Sequence, residues 1–347
     1  MNKQTGTFCF THSSGEDVYL FTLRNTKGTE VLISNYGAII NSFKLKMPDG
    51  EVNDIVLGFD TIENYLSEDY LLNYPWFGAA VGRYANRIKN AAFEMDEIKY
   101  PLTKNNGNDQ LHGGNVGFDK KVWQLVAMGE TPNDCLELFY KSADGEEGFP
   151  GNLEVTIRFE LTEDNELSYE YKATCDKATA VNLTHHGYFN LNNGIGTIED
   201  HEIKIYSAAT LEQDGNFVAT GNILAVENTI LDFTDFTRIG ERLTKNEGYD
   251  QSFIVVKNET SLVAEARSLH SGVHLQVFST EPIVHFYTGK WIPVIKGKNG
   301  SIYSPFTGFC LETQIHPNAV NIPHFPKTIL RPGEVYHHKT TYRINQI

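Results

Sequence analysis

The sequence predicts an all-β protein, a large antiparallel β-sandwich with few short helices. Apolar and polar residues alternate with period two in DVYLFTLRN (17–25), TEVLISNYG (29–37), LEVTIRFEL (153–161), ELSYEYKAT (166–174), HEIKIYS (201–207), SLVAEARSL (261–269), VHLQVFST (273–280) and IVHFYTG (283–289). Successive side chains of a strand point to opposite faces, so this alternation marks strands with one buried face. Between several of these segments lie turn-tolerant residues, NTKG (25–28), MPDG (47–50), EDN (163–165) and HSG (270–272), the connections that antiparallel neighbours use. Helical periodicity is scarce. DTIENYLSED (60–69) is the best candidate for a short surface helix, opened by an Asp or Thr cap, and the lack of long helices between strands argues against a doubly wound sheet.

No Pro/Gly/Ser-rich linker, fixed-period repeat or low-complexity tract interrupts the chain, so residues 1–347 are expected to form a single domain. The composition, 40% hydrophobic and 21% charged with 21 Phe and 17 Tyr, is that of a globular protein with a sizeable core. A net charge of −15, with no Lys/Arg cluster beyond pairs such as Lys120-Lys121, argues against nucleic acid as a partner. No apolar window reaches the roughly 18–20 residues of a membrane span, nor does the start resemble a signal peptide. Cys9, Cys135, Cys175 and Cys310 are widely separated and form no CxxC. Reduced thiols and a cytoplasmic location are therefore expected.

Five segments carry candidate chemistry. In NLTHHGYFNL (182–191), parity puts Asn182, Thr184, His186, Tyr188 and Asn190 on one face and Leu183, His185, Phe189 and Leu191 on the other. A continuous polar row suggests a wet cleft, and His186 rather than His185 as its working group; for a lone histidine, a hydrogen-bonded structural role is the commoner account. GFCLETQ (308–314) sets Glu312 among apolar neighbours, where burial raises a carboxyl toward a general base at neutral pH, and a surface-strand Glu is as good a reading of that segment alone. QLHGGNVGFD (110–119) places His112 before paired glycines that let a backbone approach a ligand closely, or form a plain turn. GRYANRI (82–88) offers Arg83, Asn86 and Arg87 to a hydroxylated ligand or to salt bridges. GYDQSF (248–253) sets Asp250 between aromatics, as a hydroxyl acceptor or a turn cap. KGKNG (296–300) lacks the strand-to-helix setting and the GKS/T ending of a phosphate loop and is expected to be an ordinary loop.

Taken in order, GRYANRI, LHGG, NLTHHGYFNL, GYD, YTG (287–289), KGKNG, GFCLETQ and LRPGE (330–334) resemble the galactose mutarotase (aldose 1-epimerase) family over roughly residues 30 to 345. The resemblance implies a supersandwich fold, no metal or organic cofactor, and interconversion of the α and β anomers of free monosaccharides by a monomer or homodimer. It implies Glu312 as catalytic base, His186 as general acid and His112 as a second histidine at the ring oxygen. Asn86, Arg87, Tyr188 and Asp250 are implied as sugar contacts, with His285 where the family usually has a sugar-contacting Gln. Acid and base would flank the hemiacetal, each contributing about 10²–10⁴ in rate, and Trp76, Phe77, Phe286 or Tyr287 would supply a stacking wall, core packing being the alternative for each.

The chain departs from the family pattern at His185 for Asn, Gln251 for His, His285 for Gln, Lys290 for Asn and HPNAV (316–320) for a PDA-type segment. These spare the acid–base pair and fall on the expected sugar wall, so they bear on which aldose is preferred. Three other readings stand beside this one: a catalytically silent carbohydrate-binding domain, a sugar-phosphate epimerase drawing on Arg83 and Arg87, and a cupin-like metalloenzyme using His112, His186, His285 and Glu312.

Overall fold

The computed structural model describes residues 6–129, 133–243, 248–255 and 260–347. Its strands form three principal sheets. Thr7–Thr11, Asp17–Arg24, Glu30–Ser34, Ile40–Lys46 and Val52–Asp54 make a five-stranded meander. A nine-stranded sheet runs in the order Gln124–Gly129, Asp134–Ser142, Leu153–Leu161, Glu166–Cys175, Tyr336–Gln346, Val273–Ser279, Ser261–Ser268, Glu202–Ile205, Thr237–Arg238. The third, six-stranded, runs Tyr188–Phe189, Phe309–Gln314, Ile283–Tyr287, Asp250–Ile254, Ala209–Gln213, Ala219–Ala225. Every ladder in these sheets is antiparallel, and the sheets pack as the sandwich that the alternation predicts.

The principal core lies where the sheets face one another. Leu153, Val155, Ile157, Phe159 and Leu161 are fully or almost fully buried while the residues between them are not. They meet Phe21, Val31 and Phe43 of the meander and Phe253, Phe286 and Leu311 of the six-stranded sheet in one apolar cluster. At about 25 cal/mol per Å² of apolar surface removed from water, such a core is the main favourable term in folding.

The expected surface helix is shorter and later than its sequence pattern. Ile62–Leu66 is a 3₁₀ turn whose preceding Thr61 makes no capping bond, its hydroxyl instead reaching Asn64, and the α-helix is Glu68–Leu72, capped by Ser67 at the Tyr70 N–H. Buried Ile62, Tyr65 and Tyr70 pack with Phe59 and Phe77, so aromatic packing sets the break. No helix among the described residues is long and apolar enough to cross a membrane.

Candidate active site

The six-stranded sheet turns one face to the core and the other to a cavity of about 740 Å³. Cross-strand register builds this second face. Ser252, His285 and Glu312 oppose one another across three strands, and the adjacent row is Asp250, Tyr287, Cys310 and Tyr188. Directly opposed residues share a face and touch, so four motifs far apart in sequence meet here. GYD and YTG lock together directly, the Tyr249 N–H donating to Thr288 Oγ1 at 2.8 Å and the Thr288 N–H to Tyr249 O at 3.0 Å.

Glu312 is buried, and Oε1 lies 3.6 Å from His186 Nε2. Its Oε2 has no hydrogen-bond partner among the described residues. Burial pushes this carboxyl up to about 7, against the lowering charges of His285 and Arg87. The same burial, with the nearby His285 charge, lowers His186 to about 3. The His186 ring is held by stacking, 4.9 Å from Tyr188 and 6.2 Å from Trp76, with its Nδ1 3.5 Å from Cys310 Sγ. Its backbone is fixed between Ala79 and Gly78, which accept from and donate to it.

His112 sits edge-on to His186 at 5.2 Å. Its N–H donates to Asn86 O, and its Nδ1 accepts the Asn86 N–H at 3.2 Å. An Nδ1 used as acceptor places the ring proton of neutral His112 on Nε2, so this histidine is a hydrogen-bond donor toward the cavity. Burial, with His186 and Arg87 nearby, holds its pKa well below the usual histidine range. Asn86 and His112 both have positive φ, 59° and 52°, and Trp76 at 55° shares this costly conformation on the cavity wall.

The remaining polar wall is an ionic chain. His285 bonds Asp250 Oδ1 through Nε2 at 2.6 Å and Ser252 Oγ through Nδ1 at 2.8 Å. Arg87 Nη2 is 3.7 Å from Asp250 Oδ2. Burial alone would raise Asp250, but the His285 contact and the Arg87 charge outweigh it and hold the carboxyl below its ordinary value. Arg87 is the one Lys or Arg lining the cavity among the described residues.

His112, His186 and Glu312 offer ligand atoms within 4.8 Å of one another, so the metalloenzyme alternative needs a chemical test. A metal on His112 Nε2 would require a proton on Nδ1, facing the Asn86 N–H that Nδ1 now accepts. His285 has both ring nitrogens engaged by Asp250 and Ser252. The donor set does not fit a divalent ion.

Several sequence expectations are corrected. Arg83 is buried away from the cavity, where its guanidinium serves Ser142, Thr179 and the carbonyls of Pro150, Ser142 and Ala143. The polar row of 182–191 is a cleft only at His186 and Tyr188. Asn182, Thr184 and Asn190 are fully buried and bond the backbone at Ile315, Thr313 and Thr307. The chain here is two short strands, Thr184–His185 pairing with Ala80–Val81 and Tyr188–Phe189 with Phe309 and Cys310. The close approach at Gly113 is to backbone, since a Cβ would stand 2.0 Å from Gly82 O, and not to a ligand. Trp76 and Tyr287 line the cavity, whereas Phe77 and Phe286 are core. Gln251 bonds Thr210 and Leu211 and, like His185, Lys290 and the HPNAV segment, does not line the cavity, so His285 is the one of the five departures that reaches it.

The aldose 1-epimerase family model matches residues 19–343. The chain belongs to the aldose 1-epimerase family. A galactose mutarotase from Sus scrofa is 40% identical over 315 residues, 89% of each chain. Among solved structures, an aldose epimerase homologue from C. elegans superposes with a TM-score of 0.87 at 29% identity, covering 95% of this chain and 99% of that one. Galactose 1-epimerase from Lactobacillus acidophilus NCFM gives 0.85 at 25% identity, covering 99% of both. The enzyme activity that goes with membership is epimerisation at the anomeric carbon of aldoses.

Family motifs lead to the cavity floor and not to its rim. Trp291, two residues beyond YTG, and Phe217, directly after the turn DGN (214–216), both line the cavity. An aromatic in or beside a turn, where core packing does not call for one, was the available signal.

Proposed function

We propose that the protein interconverts the α and β anomers of free hexoses, galactose and glucose first, with Glu312 as base and His186 as acid. The observation that carries this is the 3.6 Å approach of His186 Nε2 to Glu312 Oε1 on a cavity floor where Glu312 Oε2 has no hydrogen-bond partner among the described residues. The two groups stand side by side on one wall and do not lie on opposite sides of the hemiacetal. The hydroxyl oxygen O1 and the ring oxygen O5 are both bonded to C1, so one wall serves both.

Glu312 removes the proton from O1 as protonated His186 delivers one to O5, the C1–O5 bond breaks, and the open aldehyde remains. Rotation about C1–C2 presents the other face. Glu312 then returns its proton to the carbonyl oxygen while His186 takes that of the O5 hydroxyl, and the ring closes as the other anomer.

Burial favours the neutral form of both groups. It therefore makes ionised Glu312 a stronger base and protonated His186 a stronger acid, both in the direction that opens the ring. His112 donates from Nε2 toward the same oxygen-rich region, and Asp250 accepts a sugar hydroxyl at Oδ2, which lacks a hydrogen-bond partner among the described residues. A sugar phosphate is disfavoured, because Arg87, the one Lys or Arg lining the cavity among the described residues, already faces Asp250.

Polarimetry on freshly dissolved α-galactose and α-glucose tests the proposal. Glu312→Gln and His186→Asn are each expected to lower the catalysed rate by about 10²–10⁴, and wild-type rates in both variants would overturn the assignment. Stoichiometric zinc, iron or manganese in the purified protein, with loss of activity on chelation, would instead favour the metal reading.

A further inference from the structure

The strand that carries Glu312 also touches the far side of its acid partner. Along Phe309–Gln314, Cys310 and Glu312 share a face two residues apart, and Cys310 stands directly opposite Tyr188 and Tyr287 on the neighbouring strands. Cys310 is fully buried. A buried cysteine is most often a small apolar filler, but this one has a polar neighbour. Its Sγ lies 3.5 Å from His186 Nδ1, the one side-chain hydrogen bond that the His186 ring makes among the described residues.

The aromatic contacts of His186 leave one degree of freedom open. Tyr188 stacks on the ring at 4.9 Å and 24°, and Trp76 at 6.2 Å and 20°. Near-parallel neighbours fix the plane of an imidazole. A half-turn about Cβ–Cγ keeps that plane while exchanging Nδ1 with Cδ2 and Nε2 with Cε1, and the turned ring would present a carbon to Glu312 Oε1 in place of Nε2. The sulfur distinguishes the two orientations, because only one of them offers it a nitrogen to bond.

The contact also bears on the tautomer. In the exchange at O5, His186 gives and takes a proton at Nε2, so its neutral ring must carry a proton on Nδ1. The ring is buried, and a buried N–H needs an acceptor. Cys310 Sγ is a weak acceptor already in place. The His186 carbonyl, within reach of Nδ1 and not of Nε2, also favours the protonated ring.

A weak, neutral acceptor suits an acid. Burial, with the Glu312 and Asp250 charges, holds the Cys310 thiol well above its ordinary range, so the group stays uncharged. A carboxylate in this place would stabilise the imidazolium and make His186 a poorer acid. The thiol sulfur holds the Nδ1 proton without that effect.

We propose that Cys310 is a positioning residue for the acid: its sulfur accepts the His186 Nδ1–H, fixes the half-turn of the ring and keeps Nε2 free to exchange a proton with the ring oxygen of the sugar. The inference rests on the anomer-interconversion reading for what Nε2 does. The contact itself has a readout of its own.

Nitrogen NMR on protein carrying isotope-labelled histidine reads the tautomer, the His186 signals being those lost in His186→Asn. At about pH 6 the neutral ring is expected to carry its proton on Nδ1 in the wild type and in Cys310→Ser, whose hydroxyl can also accept. In Cys310→Ala the proton is expected to move largely to Nε2. A wild-type ring protonated on Nε2, or unchanged His186 signals in the alanine variant, would overturn the role.

Polarimetry with galactose and glucose gives the second readout. Cys310→Ala is expected to lower kcat about tenfold to a hundredfold, with KM changed by less than about twofold, and Cys310→Ser is expected to recover most of the loss. Cys310→Val fills the space without an acceptor, carries the same expectations as alanine and replaces it in both measurements should the alanine variant not fold. Equal losses in the serine and valine variants, or a change in KM alone, would show packing and not positioning. A wild-type protein that accelerates neither sugar would overturn the anomer reading, and the tautomer shift would then decide the Cys310 contact by its presence or absence.

Discussion

His186 Nε2 and Glu312 Oε1 face each other at 3.6 Å, His186 standing in the link just before the strand Tyr188–Phe189 and Glu312 on the strand Phe309–Gln314 that pairs with it at Tyr188 and Cys310. At that separation the two groups share one low-dielectric environment, and it moves their proton affinities in opposite directions. Each becomes neutral more readily than in water.

The pH dependence of turnover follows from this. Glu312 must be ionised to take the O1 proton, and burial has raised its carboxyl to about 7. The reaction also needs protonated His186, which burial lowers to about 3, so the pair must hold one proton. The value of kcat/KM, which reports the free enzyme, is therefore expected to be level just below about 7 and to fall as pH rises above about 7. Polarimetric rates from pH 5 to 9 at constant ionic strength locate this limb. A fall that begins near 4.5, and so spans the whole range, would mean that Glu312 is solvated in the working enzyme or is not the base.

The same raised pKa sets a stability signature. The folded carboxyl ionises near 7 and the unfolded one near 4.5, so between these values the folded state holds the extra proton and stability falls as pH rises. Below 4.5 the group contributes nothing to the pH dependence, and above 7 the cost of the buried charge is full, about 3 kcal/mol at most. Glu312→Gln removes the titration. Its stability relative to wild type is therefore expected to increase by up to that amount between pH 5 and pH 8, measured by urea unfolding at each pH. A constant difference would rule out a carboxyl that ionises within that window.

Parity within strands carried much of the site. Alternation alone separates Glu312 from Leu311 and Thr313, and His186 from His185, and the cavity face bears both distinctions out. Parity could not separate His186 from Asn182 or Thr184, because a buried polar side chain bonded to a neighbouring backbone and one facing a cavity have the same period. That distinction depends on which strand lies alongside, and the pairing of Thr184–His185 with Ala80–Val81 joins segments about a hundred residues apart. The helix boundary at Ser67 and the inward turn of Arg83 were illegible for a similar reason. Each is decided by partners, the aromatics around Tyr70 and the carbonyls around Ser142, that no local pattern announces.

Arg83 is expected to matter for folding and not for the reaction. Its guanidinium sits among neutral acceptors, and Arg83→Ala would leave Ser142, Thr179 and three backbone carbonyls short of donors in a dry environment. Buried groups left unsatisfied cost about 1–3 kcal/mol each, so the variant is expected to lose at least about 3 kcal/mol. Its kcat/KM, measured at a temperature where it remains folded, should stay within about threefold of wild type, a difference of about 0.65 kcal/mol. A large catalytic loss in a stable Arg83 variant would place this residue back in the site.

The two adjacent histidines supply a further test, because they differ in surroundings and not in chemistry. His185 is fully buried between Phe159 and Tyr169, with Nε2 on Ala38 O at 3.2 Å, and burial lowers it to about 4. It works as a neutral packing residue. His185→Asn inserts the residue usual in the family at this position and is expected to cost about 1–2 kcal/mol of stability from lost ring contacts, with a rate near wild type. His186→Asn removes the acid and is expected to cost about 10²–10⁴ in rate, with stability changed by less. Thermal melts and polarimetry on the pair of variants give both quantities, and a larger rate loss at His185 than at His186 would show that the strand faces had been exchanged.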